Sequence, residues 1–284
     1  MSLADSLALT ILVDDVAGTG SLQAEHGLSF WIEMDCCRIL FDSGQGVALW
    51  ENMAQMGLHA AEIDAVVLSH GHDDHTGAMP RLLRDCRKAR FYLHPDALER
   101  RYSCSTNGAV RPLGFPLAAA VPLREAMANV VWTREMTRLH PCVFATGEIP
   151  RHRPPEAPTD RFFRDSECTR PDTFRDDQAL VIETTHGAVV LLGCSHAGVA
   201  NSVSHALRQS RSGRLHALVG GMHLGSAPWE EVVRLGDLLQ ELAPRLICPS
   251  HCSGAAAKEY FKSRFPDAYR EGRAGTTIRL DEAA

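Results

Sequence analysis

The chain has 284 residues, of which 45% are hydrophobic and 23% are charged, and its formal net charge is −6. This composition is ordinary for a soluble globular protein, and the length suffices for one large α/β domain or two smaller ones. The negative net charge, without a long basic run, argues against nucleic acid as a partner. The sequence contains neither an 18-residue apolar segment nor a signal-like start, so we expect a cytoplasmic protein without a membrane partner.

Apolar periodicity in the first third of the chain predicts a strand-rich region with two helices. Strands are expected at residues 7–13, 28–34, 37–41, 63–68 and 90–93. Helical spacing of apolar residues predicts helices at 47–56 and 78–87, and Thr76 is a suitable residue near the start of the second.

Residues 95–175 lack a clear period and predict an irregular insertion or lid. Gly, Pro and Ser interrupt residues 100–122, and only 130–133 and 142–146 have the pattern of short strands. Residues 151–175 are rich in Pro, Asp and Arg, which predicts a surface excursion rather than a strand.

Regular alternation of strands and helices returns after residue 179. Strands at 179–184 and 189–192 are predicted to form a hairpin. The elements expected after it are helices at 199–208, 229–242 and 255–265 and strands at 215–219, 246–249 and 276–280. Two β-rich halves, each with helices after its strands, predict two facing sheets covered by helices on their outer sides.

The densest group of metal-ligand residues directly follows the apolar run 65–68. It consists of His70, His72, Asp73, Asp74 and His75. Residues two apart at a strand end point to the same side, so His70 and His72 are expected to face one metal ion. Asp74 and His75, at the predicted turn into the next helix, are expected to face a second ion nearby. A polar capping loop would leave this alternation unexplained.

Four further histidines lie at the ends of predicted strands. His196, His223 and His251 each follow an apolar run that ends in small residues, and His26 precedes a strand. Strand ends at one edge of a sheet converge, and α/β proteins build sites at that edge. We favour His196 and His251 as ligands, and His223 stands equally between a ligand and a substrate contact.

The spacing His70-Gly71-His72-Asp73-Asp74-His75 resembles the metal-binding signature of the metallo-β-lactamase superfamily. The resemblance spans nearly the whole chain and is strongest with the branch of 7,8-dihydropterin-6-methyl-4-(β-D-ribofuranosyl)aminobenzene 5′-phosphate synthases. Stretches that match this branch include Thr146-Gly147-Glu148-Ile149-Pro150-Arg151, Gly193-Cys194-Ser195-His196 and Ser250-His251-Cys252-Ser253. The resemblance implies an α+β fold, with residues 1–284 forming a single αββα sandwich of two mixed sheets and helices on both outer faces.

The same resemblance implies two neighbouring metal positions and the residues around them. The two implied ligand sets are His70, His72 and His196, and Asp74, His75 and His251. An upstream aspartate, Asp42, is implied to brace the metal loop. We expect one or two divalent ions, with zinc favoured and manganese, iron or magnesium as alternatives.

One position departs from the superfamily pattern. Many of its hydrolases carry Gly-Asp at the end of the late hairpin, where the Asp bridges both ions, but this chain has Gly193-Cys194. The second ion is therefore expected to bind more weakly, or only together with substrate. Cys194 itself is predicted to support the ligands from behind.

Three residues are candidates for catalysis, namely Asp74, Glu148 and His223. A carboxylate or imidazole beside a metal ion can accept a proton from the substrate or orient a ligand histidine. Asp177 is predicted to orient a ligand histidine.

The candidate substrate-binding residues are Glu25, His26, Arg151 and His223. Arginine binds phosphate oxygens in a bidentate manner, so Arg151 is the predicted phosphate contact. The sequence alone supports an ordinary surface ion pair for Arg151 equally well.

The leading functional hypothesis is a metal-dependent enzyme, hydrolase or transferase, that acts on a small phosphorylated substrate of pterin type. A dinuclear hydrolase such as a phosphodiesterase, thioesterase or lactonase is the first alternative, and a non-catalytic metal sensor is the second. The expected partner is a small-molecule substrate, and the sequence leaves homo-oligomer formation open. Nine cysteines without a Cys-x-x-Cys pair predict reduced thiols.

Overall fold

The computed structural model describes residues 6–18, 20–34, 37–157 and 161–280. The strands, in chain order, are β1 (Ala8–Val13), β2 (Ser29–Met34), β3 (Cys37–Phe41), β4 (Ala65–Val67), β5 (Arg90–Leu93), β6 (Tyr102–Cys104), β7 (Val110–Pro112), β8 (Val130–Trp132), β9 (Thr137–His140), β10 (Val143–Ala145), β11 (Phe162–Phe163), β12 (Leu180–Thr184), β13 (Gly187–Leu192), β14 (Leu215–Gly221), β15 (Leu246–Ser250) and β16 (Thr277–Arg279). The α-helices are α1 (Ala48–Gln55), α2 (Asp73–Thr76), α3 (Met79–Asp85), α4 (Ala120–Glu125), α5 (Val199–Gln209), α6 (Trp229–Leu242) and α7 (Ala255–Arg264). None of the helices in these ranges has the length and apolar character needed to cross a membrane.

Two mixed sheets form the centre of the fold. One has seven strands in the order β16-β1-β2-β3-β4-β5-β8, and the other has six in the order β15-β14-β13-β12-β10-β9. In both sheets, parallel pairing follows antiparallel pairing: β2 and β3 are antiparallel but β3 and β4 are parallel, and β12 and β13 are antiparallel but β13 and β14 are parallel. The carboxyl ends of the parallel strands therefore lie at a common edge of each sheet.

Three apolar layers hold the sheets and helices together. Between the sheets, Leu9 and Phe41 of one pack in the same cluster as Val219 of the other. A second cluster joins helices α1 and α3 to the outer face of the seven-stranded sheet, and a third joins α5, α6 and α7 to the outer face of the six-stranded sheet. Because strand side chains alternate between faces, each sheet can pack a sheet on one side and helices on the other. The predicted αββα sandwich is confirmed.

The helix predicted to begin near Thr76 begins earlier. Helix α2 already starts at Asp73, with His72 in an extended conformation before it, and Gly77 and Ala78 separate it from α3. Asp74 and His75 therefore lie within a single helical turn and not in the turn before a helix. The helix predicted at 78–87 corresponds to α3, and the start predicted near Thr76 was wrong because the separate turn α2 precedes it. Within α2, the Thr76 hydroxyl donates to the carbonyl of His72.

The predicted irregular region, residues 95–175, is more regular than its sequence pattern indicates. Its strands β8, β9 and β10 belong to the two main sheets, and a third sheet has the order β11-β6-β7. The expectation that 151–175 contains no strand was wrong, since β11 lies there. Strands β8 and β10 match the short strands predicted at 130–133 and 142–146. Strands β6, β7, β9 and β11 were not predicted, because two to four residues are too few to produce a visible alternation.

A disulfide joins Cys104, at the end of β6, to Cys168, with a Cα–Cα distance of 6.4 Å and a sequence separation of 64 residues. The expectation that all cysteines are reduced was therefore wrong for this pair. No spacing rule connects two cysteines this far apart, and the short third sheet, which pairs β6 with β11, brings them together. Of the remaining seven, Cys36 lies outside the described residues.

Candidate metal centre

The candidate ligands lie at the carboxyl ends of strands from both sheets. His70 and His72 follow β4, His196 follows β13 and His251 follows β15. Since β13, β14 and β15 run parallel, the loops after them meet at one edge, as predicted for a site at strand ends. The packing of the two sheets brings the loop after β4 to the same place.

Three buried imidazoles form the first group of candidate ligands. They are His70, His72 and His196. The ring centroid of His70 lies 4.6 Å from that of His72 and 4.9 Å from that of His196, and the last two centroids are 4.8 Å apart. Within the described part of the chain, the Nε2 atoms of His70 and His72 and both ring nitrogens of His196 have no hydrogen-bond partner. Buried nitrogens without partners are costly, and a bound ion would satisfy them. These residues fit a metal ion.

Asp74, His75 and His251 form the second group. Asp74 Oδ2 lies 3.4 Å from His251 Nε2 and 3.8 Å from His75 Nε2. The rings of His75 and His251 are 5.2 Å apart. Both histidines are also hydrogen-bonded through Nδ1 to an aspartate, which leaves Nε2 facing the centre. This is the arrangement by which proteins orient metal-binding imidazoles.

Electrostatics keep the three imidazoles of the first group and the Asp74 carboxylate in forms that bind cations, whereas the anionic groups around His75 and His251 outweigh burial and raise the pKa of both histidines. Burial lowers the pKa of His72 to about 3 and holds the pKa of His70 and His196 well below the ordinary value, so these rings are neutral. Burial alone would raise the pKa of Asp74, but the nearby His75 and His251 outweigh it and hold this pKa well below its usual range. Neutral imidazole and ionised carboxylate are the forms that bind divalent metal ions.

A cavity of about 550 Å³ opens above the histidines. Its floor includes His72, Asp74, His196, His223 and His251. This volume falls within the range of small-molecule sites, roughly 300 to 1,000 Å³.

The opposite wall of the cavity comes from the third sheet and the residues beside it. It includes Arg111 at the centre of β7, Phe162 in β11 and the adjacent Arg161. The Phe162 ring contacts the rings of His72 and His196 at centroid distances of 5.2 and 5.5 Å. The predicted irregular region therefore forms one wall of the cavity.

The family profile of the metallo-beta-lactamase superfamily matches residues 23–189, which is more than half of the chain. The chain belongs to the metallo-beta-lactamase superfamily. The profile covers the signature residues His70 to His75 and ends before His196 and His251, so the later part of the candidate centre is known from the structure.

Individual relatives extend the comparison over almost the whole chain. The chain is 28% identical to the 7,8-dihydropterin-6-methyl-4-(beta-D-ribofuranosyl)-aminobenzene-5′-phosphate synthase of Methanocaldococcus jannaschii, over 97% of each chain. The structure of a metal-dependent hydrolase of the beta-lactamase superfamily is similar at a TM-score of 0.80 and 28% identity, covering 97% of this chain and 100% of that one. Zinc-bound PqqB from Methylobacterium extorquens shares the fold, at a TM-score of 0.54 and 12% identity over 96% of this chain and 100% of that one.

Asp42 lies directly behind the superfamily's metal loop. Its carboxylate accepts hydrogen bonds from the backbone N–H of Ser69 at 2.7 Å and from the Ser69 hydroxyl at 2.6 Å, and it lies 2.7 Å from His75 Nδ1. These contacts fix the orientation of His75 and the start of the loop that carries His70.

We expect Asp42→Asn to weaken metal binding by about 10- to 100-fold, because an amide cannot accept all three hydrogen bonds that orient this loop. Competition with a chromogenic chelator measures the change. Asp64→Asn is the matched control, since the exposed Asp64 carboxylate also accepts a backbone N–H, from Arg38, but supports no candidate ligand. Equal affinities for wild type and Asp42→Asn would contradict the bracing role.

Asp15 supports the second group, and the sequence reasoning missed it. It lies 2.6 Å from His251 Nδ1 and 3.1 Å from His26 Nδ1. The other nitrogen of His26 lies 3.3 Å from Asp74 Oδ2, which places His26 at the rim of the cavity. The sequence did carry a signal for Asp15, because it follows the end of β1 just as the other candidate residues follow strands.

Two neighbouring aspartates hold the two ligand loops. Asp176 accepts a hydrogen bond from the backbone N–H of Gly71 at 2.8 Å, and Asp177 accepts one from Ala197 at 2.7 Å. Gly71 lies between two candidate ligands and Ala197 follows a third. Burial raises the pKa of Asp177 to about 7. Asp177 therefore acts on the loop backbone, whereas the sequence predicted contact with a ligand side chain.

Arg101 is a further residue that the sequence reasoning missed. Its guanidinium is buried and contacts Asp172 and Asp176, each at 2.5 Å. It thereby neutralises the carboxylate that holds Gly71. Neither the charge pattern nor the spacing of residues 95–175 distinguishes Arg101 from the other arginines of this region.

The structure gives Glu25 a different role from the predicted contact with substrate. Its carboxylate accepts four backbone hydrogen bonds, at 2.9, 3.2, 3.1 and 3.0 Å, from residues 45–48. These amides lie at the start of α1, where backbone N–H groups have no partner within the helix. Glu25 is thus occupied by the helix terminus and does not line the cavity.

We expect Glu25→Ala to lower the free energy of unfolding by about 1 to 3 kcal/mol, because four amides lose a charged acceptor. The kcat and KM should stay unchanged. Urea denaturation and steady-state kinetics test both statements, with Glu51→Ala as control because Glu51 is an exposed acid in the first turn of the same helix. A tenfold higher KM at unchanged stability would restore the role predicted from the sequence.

Glu148 and Arg151 lie outside the cavity over the candidate ligands. Both line a separate surface depression. Glu148 pairs with Arg175 at 3.0 and 3.1 Å, and Arg151 donates to the carbonyl of Thr173 at 2.5 Å. Glu148 was predicted to act in catalysis and Arg151 to bind phosphate, but neither side chain reaches the cavity over the candidate ligands. Both side chains point at neighbours in the loop before β12.

Proposed function

We propose that this protein is a metal-dependent enzyme that acts on a small phosphorylated substrate with a flat ring of pterin type. The observation that carries the proposal is the cavity itself, whose floor has buried imidazoles without hydrogen-bond partners among the described residues and whose wall has two arginines. The similarity to the archaeal dihydropterin synthase over 97% of both chains supports a substrate of this class.

The proposed substrate would lie between the floor and the arginine-bearing wall of the cavity. Arg111 and Arg161 have exposed guanidinium groups that can bind a phosphate bidentately. Arg111 also pairs with Asp73 at 2.7 Å, and a bound phosphate would compete with this exposed ion pair. The Phe162 ring is largely buried, lies 4.8 Å from the Arg161 guanidinium that covers it, and adds an apolar edge to the same wall. A phosphate held at this wall would orient the substrate relative to the floor.

At the floor and directly beneath it, six residues would hold one or two divalent ions, namely His70, His72, Asp74, His75, His196 and His251. Bound there, such ions supply Lewis-acid chemistry toward a phosphoryl oxygen or a departing diphosphate. His223 lies beside them, with its ring 4.5 Å from that of His196 and its Nδ1 without a partner among the described residues. Because His223 also lines the cavity, we propose that its imidazole exchanges a proton with the substrate.

Hydrolysis is the second candidate, and a specific observation favours it. The related structure with a TM-score of 0.80 is that of a metal-dependent hydrolase. In a synthase, an aminobenzene compound would attack the methylene carbon of the pterin as diphosphate departs. In a hydrolase, water would be the attacking group instead. The same floor residues would serve both reactions, so the geometry of the ligands does not separate them.

One assay separates the two candidates. Purified protein is incubated with zinc, a dihydropterin-6-methyl diphosphate and 4-(ribofuranosyl)aminobenzene 5′-phosphate, and the products are separated by chromatography. We expect a condensed pterin product together with released diphosphate. Ester hydrolysis of generic phosphodiesters, without any condensed product, would replace the proposal with the hydrolase candidate.

We expect Arg111→Gln and Arg161→Gln each to raise KM for the phosphorylated substrate by about 10- to 100-fold, since each removes a charge-assisted contact. The kcat should change less. Arg151→Gln is the matched control, because Arg151 is also exposed and lies outside the cavity. If Arg151→Gln raises KM while the other two variants do not, the phosphate lies where the sequence predicted.

A further inference from the structure

The sulfur of Cys194 belongs to both groups of candidate ligands. Cys194 follows β13 and is 3% exposed, and its Sγ lies 3.2 Å from His75 Nε2. The donor atoms of His70, Cys194 and His196 lie within 4.8 Å of one another, and so do those of His75, Cys194 and His251. Ions about 2.0 to 2.3 Å from nitrogen and sulfur donors fit such spacings.

We propose that Cys194 binds as a thiolate that bridges the two ions of the proposed metal centre. The inference rests on the proposed function, since it requires that centre. Cys194 Sγ is the donor atom that the His70–His196 pair and the His75–His251 pair have in common, so one sulfur can reach an ion in either group. The thiol proton passes to solvent as the metal–sulfur bonds form.

A thiolate bridge changes which ions the centre accepts. Sulfur ligands favour zinc, iron and cobalt, whereas magnesium and manganese prefer oxygen. With Cys194 as the bridge, the ligand shared by both ions is a sulfur and not an oxygen. Both metal positions should therefore prefer zinc, iron or cobalt to magnesium or manganese. The bridge should also strengthen binding of the second ion in the absence of substrate, because both ions then have a common anionic ligand.

Cys252 provides the comparison within the same cavity. It lines the cavity, and its thiol lies 3.8 Å from the carbonyl oxygen of Cys194. Its sulfur also accepts a hydrogen bond from the backbone N–H of His223 at 3.2 Å. Cys252 shares a candidate group only with Cys194 and His223, and belongs to neither group that contains His70 or His75.

Cobalt(II) is the probe for the bridge, because a cobalt–thiolate bond produces a charge-transfer absorption band in the near ultraviolet. We compare wild type with Cys194→Ser, Cys194→Asp and Cys252→Ser, each loaded with cobalt and checked for folding by circular dichroism. The wild type and Cys252→Ser should bind two cobalt ions per chain and show the band. Cys194→Ser should lose the band and one cobalt ion. Cys194→Asp should lose the band but keep both ions.

The remaining outcomes distinguish the bridge from the metal centre. A band that persists in Cys194→Ser and Cys194→Asp, or that disappears only in Cys252→Ser, would overturn the bridge while leaving the metal centre in place. An absence of bound cobalt in every protein, including the wild type, would overturn both the metal centre and the bridge.

Discussion

Replacement of His72 by alanine is expected to remove most of the bound metal and, with it, the catalytic rate. His72 Nε2 is buried, has no partner among the described residues and faces His70 and His196. Loss of a partner behind a ligand typically costs about 10- to 100-fold in metal affinity, and loss of the ligand itself should cost at least the upper value. Metal analysis after dialysis and the condensation assay measure the two effects.

His205→Ala is the control for this replacement. His205 is half-buried on α5 and contacts Gln209 at 2.9 Å, outside the candidate centre. It should retain wild-type metal content and rate. An unchanged rate in His72→Ala together with lost metal would contradict the catalytic proposal and would favour the non-catalytic metal sensor.

Replacement of Arg101 by leucine is expected to cost about 3 to 5 kcal/mol of folding free energy, because it leaves two buried carboxylates without their cation. Asp172 and Asp176 are both buried, and Asp176 in turn holds Gly71 in the metal loop. The loss should grow as pH rises, since the unpaired carboxyls are neutral at low pH and charged at high pH. Urea denaturation at several pH values measures it.

Arg234→Leu is the matched control for that measurement. Arg234 pairs with Glu230 and Glu231 on the exposed side of α6. Exposed ion pairs contribute about 0 to 1 kcal/mol, so this variant should unfold almost as the wild type does. A loss of similar size in both variants would show that the buried position of Arg101 confers no special stability.

The sequence predicts most strands of the central sheets, because each is an apolar run bounded by polar or turn residues. The strand Cys37–Phe41 and the helix Trp229–Leu242 were predicted at their observed bounds. The convergence of His70, His196 and His251 also followed from local patterns, since each comes directly after a buried strand.

Other contacts of the site depend on packing between distant segments. Arg101 reaches Asp172 and Asp176 across more than 70 residues, and the wall with Arg111 exists only once the short strands of the third sheet pair. An exposed arginine carries no periodic signal that says which surface it faces, so Arg151 looked as suitable as Arg111. Such residues are identified by the tertiary structure alone.

The candidate ligands come from residues 70–75, 196 and 251, and so from loops of both sheets. In the unfolded chain these side chains are far apart, and an ion there would find only fragments of its coordination shell. Metal binding would therefore be coupled to folding of the whole sandwich, adding about 2.7 kcal/mol at a free concentration 100 times Kd. Bound metal would link the loops of the two sheets. It would therefore reduce the transient separation of the sheets that exposes the core to proteases.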